Sequence, residues 1–105
     1  MRHEATAKAE GSTAASIISA ARVQEAESGK AVGAGVMTNT GNPGDAGFND
    51  SKFMTVPTDT TYTIGKSGDL YTVSWPTNAG GTTYTGKTLM LTEGTAFDPA
   101  TSIQP

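Results

Sequence analysis

The chain has 105 residues, of which 35% are hydrophobic and 16% charged, which favours one small domain over residues 1–105 with a thin core. Its formal charge of −3 gives no net positive field to attract nucleic acid or anionic lipid, so neither is an expected partner. Cysteine is absent, which excludes disulfides, thiolate zinc sites and a cysteine nucleophile.

The first predicted element is one α-helix over Arg2–Lys30. The segment contains no proline and is rich in alanine, with Glu, Lys and Arg between the alanines. Apolar residues recur in it at spacings of three and four, as in a helix that packs on a sheet. They are Ala14, Ile17, Ile18 and Ala21. Gly29 predicts the end of the helix, whereas Gly11 is a point where we expect a kink or the amino cap of a second piece.

The opposite helix face is predicted to be solvated and paired within itself. Glu4 and Lys8 stand four residues apart in the favourable order, and Arg22 can reach Glu25 three residues on. These pairs favour a helix whose outer side faces water.

A long surface loop is predicted from residue 31 to 52, where Gly, Asn, Asp and Pro predominate. Asp45, Asn49 and Asp50 offer the hard oxygen ligands that calcium prefers. Their spacing matches no EF-hand loop and calcium takes six to eight oxygens, so turn chemistry is the favoured interpretation and calcium the alternative. The glycine runs here lack the setting of a phosphate loop, and no nucleotide or other cofactor is predicted.

Residues 53–92 predict an antiparallel sheet of four or five short, threonine-rich strands. The predicted strands are Phe53–Val56, Thr60–Ile64, Leu70–Trp75, Thr82–Thr85 and Lys87–Thr92. Gly65–Asp69 is predicted as a hairpin loop whose two glycines can take positive φ, and Pro76–Gly81 as the next turn. The tail, residues 93–105, is predicted to be irregular and held by Phe97 and Ile103.

The predicted core lies between the helix and one face of this sheet, which makes the fold class α+β. Side chains alternate between the two faces of a strand, so Tyr71, Val73 and Trp75 share one face. The predicted core residues are Ile17, Ile18, Tyr62, Tyr71, Val73, Trp75, Leu89 and Leu91. The aromatic residues of the sheet region could instead stack on sugars or bases, but their alternation favours the core. They are Tyr62, Tyr71, Trp75 and Tyr84.

Few residues of the sequence could act in catalysis. His3 is the only histidine, and it lies at the terminus of a helix that is expected to fray, where no general base could be held rigidly. With no cysteine and no ligand constellation, the sequence predicts a protein that is not an enzyme.

The helix carries a family resemblance. Ala7-Lys8-Ala9-Glu10-Gly11-Ser12 follows Arg2-His3-Glu4-Ala5-Thr6 and leads into an alanine-rich continuation to Gly29. This pattern, which covers the first 29 residues, resembles the exposed half of the long first helix of type IV pilins. The order of parts also agrees: helix, variable loop, antiparallel sheet and irregular tail.

The resemblance implies a pilin-like fold and a structural role in an extracellular filament used in adhesion, motility or secretion. It implies other pilin subunits as partners, in a homopolymeric or a split-pilin filament, at the bacterial cell surface. The pseudopilins of type II secretion share this plan, and they would place the chain in the periplasm.

Two departures from the family qualify this expectation. Many pilins close their carboxyl-terminal region with a disulfide, which a chain without cysteine lacks. The apolar half-helix of pilins is also missing, since no apolar run here approaches the roughly 20 residues that cross a bilayer. We therefore expect no membrane contact by this chain, which would be a truncated pilin or the globular chain of a split one.

The resemblance also implies where subunits meet. Arg2, Glu4, Lys8 and Glu10 would lie between neighbouring subunits, and the Gly33–Asp50 loop with the tail would form the variable outer surface. Because the apolar helix stripe is used by the sheet, we expect the isolated chain to be a monomer.

Two other classes compete with the filament subunit. A virion surface or capsid-decorating β-domain protein is the principal alternative, and a stable trimer in light scattering would favour it. A carbohydrate- or peptide-binding β module would need an exposed aromatic pair that the strand alternation does not supply.

Overall fold

The structure is a computed structural model, and it describes residues 2–29, 31–32, 34–37 and 60–104. In chain order the elements are α1 (Arg2–Ser28), β1 (Gly35–Met37), β2 (Tyr62–Ser67), β3 (Leu70–Pro76), α2 (Gly81–Tyr84), β4 (Thr88–Thr92) and β5 (Ile103–Gln104). The strands form one antiparallel sheet in the order β1-β2-β3-β4-β5. The α+β prediction, a long helix packed on an antiparallel sheet, is confirmed.

Helix α1 lies along the middle strand and runs opposite to it. The Glu10 side chain reaches Trp75 near the end of β3, whereas Arg22 reaches the carbonyl of Asp69 just before β3 begins. Gly29 has a φ of 77° and its N–H donates to the Glu25 carbonyl over 2.8 Å, so the predicted helix stop is confirmed.

The amino cap of a second helical piece, one of the two expectations at Gly11, is wrong, because α1 is continuous from Arg2 to Ser28. Gly11 is buried instead, and a Cβ built on it would lie 2.4 Å from Cδ2 of Phe97. The glycine makes room for an aromatic ring from the tail of the chain. Phe97 in turn lies 5.7 Å from Trp75, measured between ring centroids.

One cluster of buried side chains fills the space between α1 and the sheet, and all of the predicted core residues belong to it. The cluster comprises Ala7, Ala14, Ile17, Ile18, Ala21, Val32, Tyr62, Ile64, Tyr71, Val73, Trp75, Ala79, Tyr84, Leu89 and Leu91. The predicted helix stripe and the alternation in β3 are therefore confirmed, and so are the two residues expected to hold the tail, since Phe97 and Ile103 pack against this cluster. The burial of all four sheet aromatics excludes them as an exposed stacking platform.

The hairpin between β2 and β3 is tighter than predicted. Instead of a loop over Gly65–Asp69, the strands stay paired as far as Ser67 and Leu70, which leaves a two-residue turn. Gly68 has a φ of 63° at the first turn position, as a type II′ turn requires. Lys66 is the ladder partner of Tyr71, and its ammonium lies over the Tyr71 ring, 5.1 Å from the centroid.

The predicted strand Thr82–Thr85 is wrong, because these residues contribute to the single helical turn α2. Threonine and tyrosine favour strands, but glycines with positive φ at Gly81 and Gly86 turn the chain on both sides. The Thr85 hydroxyl donates to the Gly81 carbonyl over 2.6 Å, and only Tyr84 of this turn is buried. The segment therefore bridges β3 and β4 rather than joining the sheet.

Two edge strands lie where no strand was predicted. β1 falls within the predicted loop 31–52, and β5 falls within the tail that was predicted to be irregular. Val36 pairs with Thr63, and Ile103 pairs with Leu89. The predicted strand Phe53–Val56 lies outside the described residues.

Candidate assembly surface

Helix α1 has two faces of different composition. Its inner face packs on the sheet, and its outer face is exposed. The exposed residues are His3, Glu4, Ala5, Lys8, Ala9, Ser12, Ala15, Ser16, Ser19, Val23, Ala26 and Glu27. Between Lys8 and Arg22 no exposed side chain of the helix is charged, and we call the exposed residues Ala9, Ser12, Ala15, Ser16 and Ser19 the uncharged helix face.

A cleft of about 440 Å³ borders this face, where α1 meets the end of β4. Its helix side is formed by Ala15, Ile18 and Ser19, and its sheet side by Leu91 with the backbone beyond it. Among the described residues that line it, only Arg22 and Glu93 are charged, and they are paired with each other. The cleft offers space for a neighbouring side chain.

The predicted assembly residues lie in different environments. Glu4 and Lys8 are exposed and form the predicted i,i+4 pair, with 4.0 Å between Oε2 and Nζ. A surface pair of this kind contributes only a few tenths of a kcal/mol to folding, so both side chains stay available to a partner. The side chain of Arg2 lies outside what the structure describes.

Glu10 departs from the predicted assembly surface, because its side chain is only 8% exposed and lies against the sheet. Its Oε1 accepts hydrogen bonds from Trp75 Nε1 at 3.0 Å and from the Thr77 hydroxyl at 2.6 Å. Its Oε2 accepts from the backbone N–H of Asn78 at 2.9 Å. The carboxyl group thus fixes the chain just after β3. The helical register could have revealed this, since Glu10 precedes Ala14 by four residues and continues the buried stripe.

His3 lies in the first turn of α1, which begins at Arg2. Its ring lies over two glycines: a Cβ on Gly80 would stand 3.1 Å from His3 Cε1, and one on Gly81 2.9 Å from Cδ2. The adjoining cleft of about 440 Å³ is lined by His3 and by two further titratable side chains, Glu4 and Tyr84. The described residues that line it include no cysteine, no serine and no second carboxyl group. The expectation that the protein is not an enzyme stays a prediction.

Arg22 links the carboxyl-terminal half of α1 to residues just before β3 and just after β4. Its Nε and Nη2 each lie 2.6 Å from an oxygen of Glu93, and Nη1 lies 2.6 Å from Glu25. The guanidinium also stacks over Tyr71, 4.6 Å from the ring centroid. The pair with Glu25 was predicted, but Glu93 stands 71 residues away, and nothing in the sequence pattern points to it.

This ion-pair cluster predicts how stability depends on pH. Hydrogen bonds from Arg22 lower the pKa of Glu93 below its ordinary value of 4.5, and the Tyr71 N–H adds to this while burial opposes it. Because the folded-state pKa is the lower one, the stabilisation is complete above pH 4.5 and is lost as the pH falls through the folded-state value. We expect the melting temperature of Glu93→Gln, followed by circular dichroism, to fall less steeply with acid than that of the wild-type chain, by a few degrees.

The exposed Glu27→Gln serves as the matched control, because Glu27 lies on the outer side of the same helix. It should keep the wild-type dependence on pH. Identical acid profiles for Glu93→Gln and the wild-type chain would show that the Arg22 pairing adds nothing to stability.

Other predicted sites find no structural support in the described ranges. Asp45, Asn49 and Asp50, the calcium candidates, lie outside them. Among residues 2–29, 31–32, 34–37 and 60–104, no group of three or more His, Cys, Asp or Glu could hold a metal ion. Neither helix in the described part of the chain is both long and apolar enough to cross a membrane.

Comparisons with protein-family models, with curated proteins and with solved structures find no match to this chain.

Proposed function

We propose that the chain is a structural subunit of an extracellular filament of the type IV pilus or pseudopilus kind. The observation that carries the proposal is the uncharged helix face, which follows the exposed side of a 27-residue helix whose other side is fixed to a sheet. In this proposal the helix side meets neighbouring subunits, and the sheet is displayed outward at the cell surface.

The composition of α1 supports a role in packing between subunits. The middle of the exposed face carries no charge, so a neighbouring subunit can cover it without burying an unpaired charge. Its alanine and serine side chains are small, which lets a neighbouring backbone approach closely. Glu4 and Lys8 flank it at one end, and Glu27 flanks it at the other. The arrangement is an uncharged strip of small residues between charged ends, and it supports close packing against a second helix.

The carboxyl-terminal tail is held in place without the disulfide that many pilins have. Where many pilins use a disulfide, this chain attaches its tail by packing and by a strand. Phe97 lies against Trp75 and Gly11, and β5 pairs with β4 through Ile103 and Leu89. A chain without cysteine can thus hold the same region in place.

The direct test is to find the chain in filaments. An antibody raised against this chain should label surface filaments along their length in immunogold electron microscopy, and the chain should be a major band in the fraction sheared from cells. Recovery of the chain with virus particles would instead support the capsid-decorating alternative. Recovery only in the fraction that remains soluble after cell lysis would contradict both.

A charge placed on the uncharged helix face should block assembly. Ser16 is exposed in the middle of this face, so Ser16→Glu should leave the melting temperature within about 2 °C of the wild-type value. The same change would bury a charge at every subunit contact, and we expect filament yield to fall at least about tenfold. Sheared filaments are quantified by sedimentation and immunoblotting.

Thr88→Glu provides the matched control, since Thr88 is exposed in β4 on the face of the sheet turned away from α1. It adds the same charge and should leave filament yield unchanged. Equal yields for the two variants would exclude this helix face as a subunit contact.

A further inference from the structure

The face of the sheet turned away from α1 carries no charged side chain among the described residues, and we call it the outer sheet face. The strand register places its members on one side: Val36, Thr63, Gly65, Ser67, Leu70, Thr72, Ser74, Pro76, Thr88, Met90 and Thr92. The charged residues near the sheet point elsewhere. Lys66 and Glu93 reach toward Tyr71 on the helix side, and Asp69 lies in a turn. Lys87, one residue before β4, has the same alternation as the buried Leu89 and so belongs to the helix side.

This face also exposes apolar surface. Val36 is 45% and Leu70 43% exposed, and Met90 is half-buried on the same side of the sheet, with β2 and β3 between it and Val36. The solvated face of an antiparallel sheet is usually polar. Here threonine and serine make up most of the face, none of its described side chains is charged, and Val36 and Leu70 expose apolar surface. No charge on the described residues therefore opposes the burial of this face against another protein.

We propose that the outer sheet face binds a second copy of this chain, face to face, about a two-fold axis. A charged partner, such as a nucleic acid or an acidic or basic peptide, would find no counter-charge on the described residues of this face. Two copies of a chain with net charge −3 repel each other in general, but they can meet at this face without opposing like charges. Two antiparallel sheets pack readily face to face, about 10 Å apart, and a two-fold contact uses the same patch on both copies.

The size of the face sets the strength of the contact. Five strands spaced about 4.8 Å apart and up to about 20 Å long present roughly 400 Å² per copy. The pair would bury roughly 800 Å² in total, below the ~1,200 Å² at the low end of stable, specific interfaces. The contact is therefore weak and transient for two free chains, which agrees with the expectation of a monomer at micromolar concentration.

In a filament the same contact would be repeated at every subunit, so the total binding between two filaments would be stronger than between two free chains. This consequence rests on the proposed function. If the helix side meets neighbours within one filament, the outer sheet faces point outward and meet those of another filament. Many weak contacts in parallel then act with high effective concentration. The outer sheet face would join filaments side by side into bundles.

The contact can be measured on the isolated chain, without any filament. We expect backbone amide signals in ¹⁵N NMR spectra to shift as the chain is concentrated from micromolar to millimolar, with the shifts confined to residues of β1 to β4. Thr63→Lys and Leu70→Lys each bring two like charges into the two-fold contact. Each should reduce the association constant at least about tenfold.

Thr83→Lys, which adds the same charge at an exposed position of α2, is the control and should associate as the wild-type chain does. Shifts that fall on α1 instead, or no shifts up to millimolar concentration, would overturn the proposal. This test and the filament test fail separately. If the isolated chain associates, Thr63→Lys abolishes the association and the chain is never found in filaments, only the proposed function is contradicted. If the chain is found in filaments but does not associate through the outer sheet face, only this inference is contradicted.

Discussion

Replacing Glu10 with alanine is expected to lower the free energy of unfolding by about 3 kcal/mol. The carboxyl group accepts hydrogen bonds from Trp75, Thr77 and Asn78, and the Trp75 indole is only 1% exposed. Alanine would leave the buried indole N–H without an acceptor and would open space beside it. At about 4–8 °C per kcal/mol for a small domain, the melting temperature should fall by about 15 °C.

Glu10→Gln separates the loss of the acceptors from the loss of volume. The glutamine oxygen can still accept from Trp75 and Thr77, but its amide would point a donor at the Asn78 N–H, which is also a donor. We expect this variant to lose about 1–2 kcal/mol. Urea denaturation followed by Trp75 fluorescence measures both variants, because Trp75 is the only tryptophan.

Glu4→Ala is the matched control, because Glu4 lies on the same helix but is exposed and makes only a surface ion pair. Its unfolding free energy should change by less than about 0.5 kcal/mol. If Glu10→Ala were as stable as Glu4→Ala, Glu10 would have to be free of the sheet and available to neighbouring subunits, as the family resemblance first implied.

The helix and the core were predictable because their periodicity is strong. Ala14, Ile17, Ile18 and Ala21 repeat at helical spacing, and alternation within β3 places Trp75 on the face that α1 covers. These patterns arise directly from burial, so they are visible in one sequence. The same register extended toward the amino terminus would have placed Glu10 inside as well.

The errors have other physical causes. A three-residue or two-residue edge strand such as β1 or β5 is too short to show alternation, and only its partner strand defines it. Residues 82–85 have strong strand propensity, yet the glycines around them turn the chain, so tertiary context overrides propensity. Arg22 and Glu93 meet only because the sheet brings β4 under the helix.

The motif that carries the pilin resemblance has a packing role within the chain. In Ala7-Lys8-Ala9-Glu10-Gly11, the first, fourth and fifth residues are buried against the sheet or the tail. The second and third face outward. The motif therefore determines how the helix packs on its own sheet. The filament proposal depends on the outward-facing residues of the motif and on the uncharged helix face that follows them.

Replacing Gly11 with leucine should lower the free energy of unfolding by about 3 kcal/mol, although leucine is a far better helix former than glycine. A Cβ at this position would lie 2.4 Å from Cδ2 and 2.5 Å from Cε2 of Phe97. The ring would have to leave its place beside Trp75, from which its centroid is 5.7 Å away. The lost packing of the ring outweighs the gain of about 1 kcal/mol in helix propensity.

The same substitution in a Phe97→Ala variant tests whether the Phe97 ring causes the loss of stability. In Phe97→Ala the space above Gly11 is vacant, and the leucine side chain can occupy it. Gly11→Leu should then cost less than about 1 kcal/mol, so the two changes are coupled by about 2 kcal/mol in a double-mutant cycle measured by urea denaturation. Ser12→Leu, at the exposed neighbouring position, should stay within about 0.5 kcal/mol of the wild-type value. Equal costs of Gly11→Leu in both backgrounds would mean that the tail does not rest on the helix at this point, and that a chain without cysteine holds its carboxyl-terminal region through β5 alone.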